Sequence, residues 1–287
     1  MYGNKIRYTF SGHESFYCKS LWLKKGYDFI SGNEDFNASD AVVKLGVGKN
    51  MVAAIRYWLR AFGLMEDGRV TEIANYIFND KNGKDPYIED LGTLWLLHYL
   101  LVKTELASIY KLFFVDFHRE RNNEFNRDQL LTFLKRKSFE TDYANLYNEN
   151  TVRRDIGVLL QNYTIPEQGK PNEDFSALLI DLNLLRRSDS KMYYFNTKGK
   201  NELMLEIFLY AILDWKGECK TIDYEEILDY LGGIFCLTPA ELIDTLLALT
   251  EKYPDLLVFA DDGGIKQLLF IKDLDKQKVL NSYYDKV

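Results

Sequence analysis

The sequence predicts a mainly α protein with small β-hairpins, arranged as tandem winged helix-turn-helix-like units around a central buried helix. Three observations carry this. A short helix, a two-glycine turn and a longer amphipathic helix stand in succession over residues 37–64. The order helix, helix, hairpin recurs twice further along the chain. Between the first two occurrences lies a helix that is apolar nearly all round, from Thr93 to Leu100. With 47% hydrophobic and 15% aromatic residues, the 287-residue chain has ample material for packed cores and no low-complexity linker.

The first unit is the most informative. A short helix is expected from Asp40 to Lys44, with Asn37 and Ser39 as capping residues, followed by the turn Leu45-Gly46-Val47-Gly48. A longer helix from Lys49 carries Met51, Val52, Ile55, Trp58, Leu59 and Phe62 on one face, and Gly63 suits its C-terminal end. Lys49, Asn50, Arg56 and Arg60 are then left on the opposite face, and Arg69 falls in the hairpin around Glu66-Asp67-Gly68. This is the order of a winged helix-turn-helix, whose second helix and wing reach DNA. The competing reading is a helical hairpin with solvated charges.

A second unit is expected around residues 127–195. A helix from Arg127 ends in Lys135-Arg136-Lys137, and Asn148 or Asn150 caps a helix through to Tyr163. Asn150, Thr151, Arg153 and Arg154 at that helix start suit phosphate and base-edge contacts. The bland alternative pairs one arginine with Asp155 or Glu149 and leaves the other solvated. Ser188-Asp189-Ser190-Lys191 reads as a hairpin turn. In the third unit, Ile222-Asp223 leads into a helix through Tyr230, and Thr238-Pro239-Ala240-Glu241 starts another. Apolar strands flank Asp261-Asp262-Gly263-Gly264. The expected organisation is therefore 1–80 for an N-terminal segment with the first unit, 81–126 for connecting helices, 127–215 for the second unit and 216–287 for the third.

Charge separates these regions. Net charge is −7 overall, but residues 1–80 sum to +1, 81–165 to 0 and 166–287 to −8. The acidic third unit is a poor DNA surface and suits a partner protein or a second copy in a homodimer. Cys18, Cys219 and Cys236 are odd in number and widely spaced, which argues for a reducing compartment and places the chain in the cytoplasm. No apolar run approaches the roughly 18 residues of a membrane span, and the first residues lack the pattern of a signal peptide.

Three histidines limit catalysis. His98 falls on the apolar helix and reads as a core residue, and His118 reads as part of a solvated helix face. His13-Glu14, in a Ser-Gly-His-Glu-Ser run, is the most site-like element. A structural role is expected for it, capping a turn against the first unit. No metal-ligand spacing, phosphate loop or dinucleotide fingerprint is present, so no catalytic residue, metal or cofactor is expected and an enzyme is the least favoured class.

Several blocks carry a resemblance. Phe10 to Phe16 with Leu21 to Gly26, then Leu45 to Met51, Ile55 to Leu59, Asp85-Pro86-Tyr87, Thr93 to His98 and Asn150 to Asp155 resemble, in order, the DUF4007 family. The resemblance implies a bacterial protein from loci that hold sulfur-transfer enzymes, and so DNA phosphorothioation or phage defence. The expected function is a non-catalytic component of such a system that binds double-stranded DNA. Two alternatives stand beside it: an adaptor for a sulfur-transfer or ATPase protein of the same locus, and a local transcription regulator.

Overall fold

The structure is a computed structural model; it describes residues 8–120, 124–140, 147–165, 177–188, 191–197 and 203–286. The chain is mainly helical with small antiparallel sheets, and it divides into two compact units. One comprises residues 1–113 and 120–196, the other 114–119 and 197–287. No helix among the described residues is long and apolar enough to cross a membrane.

The larger unit begins with α1 (Trp22–Ser31), α2 (Ala41–Leu45) and α3 (Lys49–Ala61), followed by a two-residue ribbon of β1 (Met65–Glu66) and β2 (Arg69–Val70) and by α4 (Glu72–Phe78). The turn between α2 and α3 works because Gly46 takes the left-handed region, φ 62°. The sequence suggested Asn37 and Ser39 as caps, but Asp40 occupies the N-cap position of α2 without a side-chain bond, and Asn37 is used elsewhere. The apolar face of α3, including Ile55, Trp58 and Leu59, is buried. Helix α1 crosses it so closely that a Cβ on Gly26 would lie 2.6 Å from Leu59 Cδ1 and 2.8 Å from Ile55 Cγ2. Glycine there is a packing requirement. A small cluster of Phe29, Ala41, Leu45 and Val52 closes the underside of α2.

Next comes α5 (Leu91–Lys103), started by Asp90, whose side chain accepts from the Thr93 N–H. Every residue from Gly92 to Val102 is buried, so this helix is a core element in its own right. At its end the Thr104 hydroxyl donates to the Ala61 carbonyl at 2.6 Å and satisfies the C-terminus of α3. His98 is fully buried against Tyr163, with Nδ1 and the phenol oxygen 2.8 Å apart. The helical run from Ser108 starts as α6 (Ser108–Lys111), widens to a π-helix over Leu112–Phe117 and closes as α7 (His118–Glu120).

β3 (Glu124–Phe125), α8 (Arg127–Phe139), α9 (Glu149–Tyr163), β4 (Leu185–Arg187) and β5 (Tyr193–Phe195) complete the unit. Asn126 and Gln129 form a reciprocal capping box at α8. The sheet order is β3-β5-β4, all antiparallel, with Phe125, Phe195 and Phe113 stacked on its inner side.

In the smaller unit α10 (Leu205–Lys216), buried from Glu206 to Leu213, packs on α13 (Lys276–Tyr284). Between them run β6 (Thr221–Asp223), α11 (Tyr224–Ile227), α12 (Pro239–Lys252), β7 (Leu257–Asp262) and β8 (Ile265–Phe270). Thr238, Pro239 and Glu241 form the expected helix start, a capping box with proline in the first turn. The sheet order β6-β8-β7 repeats that of β3-β5-β4: a strand, two helices, then a hairpin whose last strand pairs with the first. Both first strands are short and were not evident from the sequence.

Candidate nucleic-acid interface

The solvent face of α3 follows from its helical period. Lys49, Ala53, Arg56 and Arg60 are spaced by four, three and four residues and fall in one stripe. Lys49, Asn50, Ala53 and Arg60 are exposed and Arg56 is half-buried. The stripe lines a groove of about 770 Å³ together with Asn37, Ser39, Val42 and Gly12. Arg56 and Arg60 also line a second groove of about 800 Å³, bounded by Met65 to Gly68 of the ribbon and by Thr104 and Leu106.

The cations of this stripe are not neutralised by any acid among the described residues. Arg56 Nη1 donates to the neutral Asn37 Oδ1 at 2.8 Å. Among the described residues, none of Lys49, Arg56 and Arg60 meets a carboxylate. Neighbouring Lys44, by contrast, is held by Glu34 and Asp40. The hydrogen bonds that Lys44 donates to Glu34 and then to Asp40 raise its pKa, and the bond accepted from Lys44 lowers that of Asp40. Lys49 stands in the first turn of α3, where no acidic residue is present and Gly48 offers no side-chain cap. A cation at the positive end of a helix dipole works against helix stability by roughly 0.3–1 kcal/mol. Arg69 is exposed on β2, directly across the ladder from Glu66.

The start of α9 is more neutralised. Asn148, rather than Asn150, caps it by accepting from the Thr151 N–H at 3.0 Å, so Asn150 and Thr151 lie in the first turn. Arg153 is gripped by Glu149 at 3.0 Å and by Asp128 at 3.3 Å, which together hold its pKa above the usual guanidinium value. Arg154 is exposed, its Nε 3.4 Å from the Asn150 carbonyl, and meets no carboxylate among the described residues. In the basic run at the end of α8, Arg136 and Lys137 both pair with Glu120 and Glu140.

His13 and Glu14 separate in role. Glu14 is exposed, whereas His13 is 4% exposed. The loop around them turns sharply, with positive φ at Ser11, Gly12, Glu14 and Ser15. Gly12 (φ 108°) must be glycine, since a Cβ would lie 2.7 Å from the Tyr57 ring. The His13 ring stacks on Trp58 and meets Tyr57 edge-on. Its Nδ1 accepts from the Ser15 N–H at 3.1 Å, which assigns the ring hydrogen to Nε2, and Nε2 donates to Asp155 Oδ1 at 3.0 Å. Asp155 Oδ2 accepts from the Ser11 N–H at 2.8 Å. Asp155 is 2% exposed on α9, so one loop fastens the back of α3 to α9. Burial, and next the Asp155 charge, push the Tyr57 phenol well above its ordinary pKa. Below this clasp Asn162 accepts from the Cys18 N–H at 3.0 Å and donates to the Tyr110 hydroxyl at 2.6 Å. The buried Asp155, Asn162 and Tyr110 were not singled out by the sequence, because their partners are 52 to 144 residues away.

Among the described residues no group of three or more His, Cys, Asp or Glu is placed to hold a metal ion. Cys18, Cys219 and Cys236 form no disulfide among the described residues.

Residues 10–284 match the family described as Protein of unknown function (DUF4007), and the chain belongs to that family. Two solved structures are similar to it. One, named "SspB crystal structure", has a TM-score of 0.83 and 29% identity, covering 97% of this chain and 88% of the other. The second, named "Magnesium ion-bound SspB crystal structure", has a TM-score of 0.81 and 27% identity with the same coverage. No curated protein matches the chain.

Proposed function

We propose that this chain is a non-catalytic, double-stranded-DNA-binding component of a bacterial DNA-modification system of the phosphorothioation type, or of a phage-defence system. The observation that carries the reading is the α3 stripe. In a chain of net charge −7, Lys49, Arg56 and Arg60 stand on one helix face, beside two grooves, with no carboxylate partner among the described residues. Cations left unpaired in that way are what phosphate neutralisation uses. The order strand, two helices, hairpin in both three-stranded sheets, and helix-turn-helix then ribbon at α2 to β2, support winged helix-turn-helix-like units as the framework.

Within this reading Lys49 and Asn50 meet the duplex at the α3 N-terminus, and Arg56 and Arg60 follow along the stripe. Arg69 approaches from the ribbon, and Arg154 with Asn150 and Thr151 extends the contact. Arg153 contributes least because Glu149 and Asp128 already neutralise it. The magnesium in one similar structure makes the ion a required variable of the binding assay, since magnesium is commonly held by one or two carboxylates together with phosphate oxygens.

The test is a titration of labelled duplexes, unmodified and phosphorothioated, at two salt concentrations with and without magnesium. If Lys49, Arg56, Arg60 and Arg154 each neutralise one phosphate, affinity falls roughly a hundredfold between about 50 and 200 mM salt. The adaptor reading is favoured by the near-neutral charge of residues 1–165. It predicts capture of a sulfur-transfer or ATPase protein with little dependence on salt.

A further inference from the structure

The C-terminal helix-helix-hairpin presents its own solvent stripe. On α12 the residues Ala240, Asp244, Leu247 and Glu251 are all exposed, and the opposite face, Leu242, Leu246 and Leu249, is buried. Their spacing of four, three and four is that of Lys49, Ala53, Arg56 and Arg60 on α3. Asp244 and Glu251 have no cationic partner among the described residues, whereas Glu206 and Asp214 of the same unit are held by lysines. Leu247, between two carboxylates, is a large apolar side chain that stays 51% exposed.

We propose that the α12 stripe is a docking surface for the α3 stripe of a second copy of this chain, the two helices running antiparallel. In that alignment Glu251 faces Lys49, Leu247 faces Ala53, Asp244 faces Arg56, and Ala240 faces Arg60. Each carboxylate meets a cation that has no carboxylate partner among the described residues, and the large apolar Leu247 meets the small exposed Ala53. Equal spacing makes the alignment hold along the stripe, since seven residues separate Asp244 from Glu251 and Lys49 from Arg56, about 10.5 Å on either helix. Leu247 enters the groove beside Ala53, whose apolar lining includes Val42 and Val52. The contact occupies the surface that DNA takes in the reading above, so the two are mutually exclusive there. It does not depend on that reading, because self-association is measured without nucleic acid.

The experiment is sedimentation velocity on the full chain at low and high salt, with two charge-reversed variants. Wild type is expected to exceed the 33.6 kDa of one chain as concentration rises at low salt, and to return to it at high salt. Asp244→Lys with Glu251→Lys, and separately Lys49→Glu with Arg56→Glu, each sediment as monomers while keeping the wild-type circular dichroism. An equimolar mixture of the two variants associates again, because each reversed face then meets its complement. Leu247→Asp weakens association about tenfold or more. A wild type that stays monomeric at low salt overturns the proposal, as does a mixture of folded variants that stays monomeric.

Discussion

Replacing His13 by alanine removes the donor that faces Asp155 inside the protein. Both side chains are at most 5% exposed, so bulk solvent does not reach the vacated bond. The carboxylate keeps the Ser11 N–H on Oδ2 and loses the His13 donor on Oδ1. Leaving a buried carboxylate without its donor costs about 3–5 kcal/mol, the range for an uncompensated buried charge. The stack on Trp58 is lost with it. In a protein of this size each kcal/mol moves the melting temperature by roughly 2–4 °C, so a fall of about 6–20 °C is expected. Asp155→Ala destabilises by a similar route, leaving the Ser11 N–H and the His13 ring without an acceptor. The double variant then costs less than the sum of the two, with a coupling of about 1–3 kcal/mol. Urea unfolding followed by circular dichroism and by tryptophan fluorescence reads all three, Trp58 reporting directly on the clasp. A loss below about 0.5 kcal/mol for His13→Ala, the range of an ordinary surface substitution, would refute the reasoning, as would strict additivity.

Gly12→Ala, which must hold φ 108° with a Cβ 2.7 Å from Tyr57, should lower stability by about 1–3 kcal/mol in the same assay. Tyr57 and Tyr110, both raised chiefly by burial, stay protonated in the folded protein where free phenols ionise, near pH 10. The unfolded chain then binds fewer protons than the folded one, so their stabilisation is full below about pH 10 and is lost above it. Ultraviolet phenolate titration should show a fraction that ionises only on unfolding. At Glu206 burial pushes the carboxyl up, but hydrogen bonds from Lys252 at 2.6 Å and Lys286 at 2.9 Å outweigh it and leave the pKa lowered. Its contribution is therefore present above the usual carboxylate range, near pH 4.3, and fades as pH falls below it. Glu206→Gln should flatten that part of the acid-stability curve.

Local signals explain which elements the sequence made visible. The α3 face was readable because its apolar residues repeat with the helical period, and α12 because Thr238, Pro239 and Glu241 form a start signal within four residues. The α5 helix was readable because a long apolar run can only be buried. The strands β3 and β6, two and three residues long, leave no alternation to detect, and each gains its place by pairing with a strand tens of residues later. The candidate interface divides in the same way. Helical spacing alone put Lys49, Arg56 and Arg60 together. Whether an arginine is free or already paired depends on neighbours such as Asp128, 25 residues before Arg153, and no local pattern carries that. The His13 segment was visible as an unusual run of small and titratable residues. Its partner Asp155, 142 residues away, was visible only as an acid beside two arginines.

The most direct test of the central claim is duplex binding as a function of salt, for wild type and for Lys49→Ala, Arg56→Ala and Arg60→Ala combined. Three exposed or half-buried side chains leave the fold intact, which circular dichroism checks. If each cation neutralises one phosphate, the slope of log affinity against log salt becomes less steep by about 2.7 in the variant. An identical slope in wild type and variant, or no wild-type binding at low salt, would contradict the assignment of α3 to DNA.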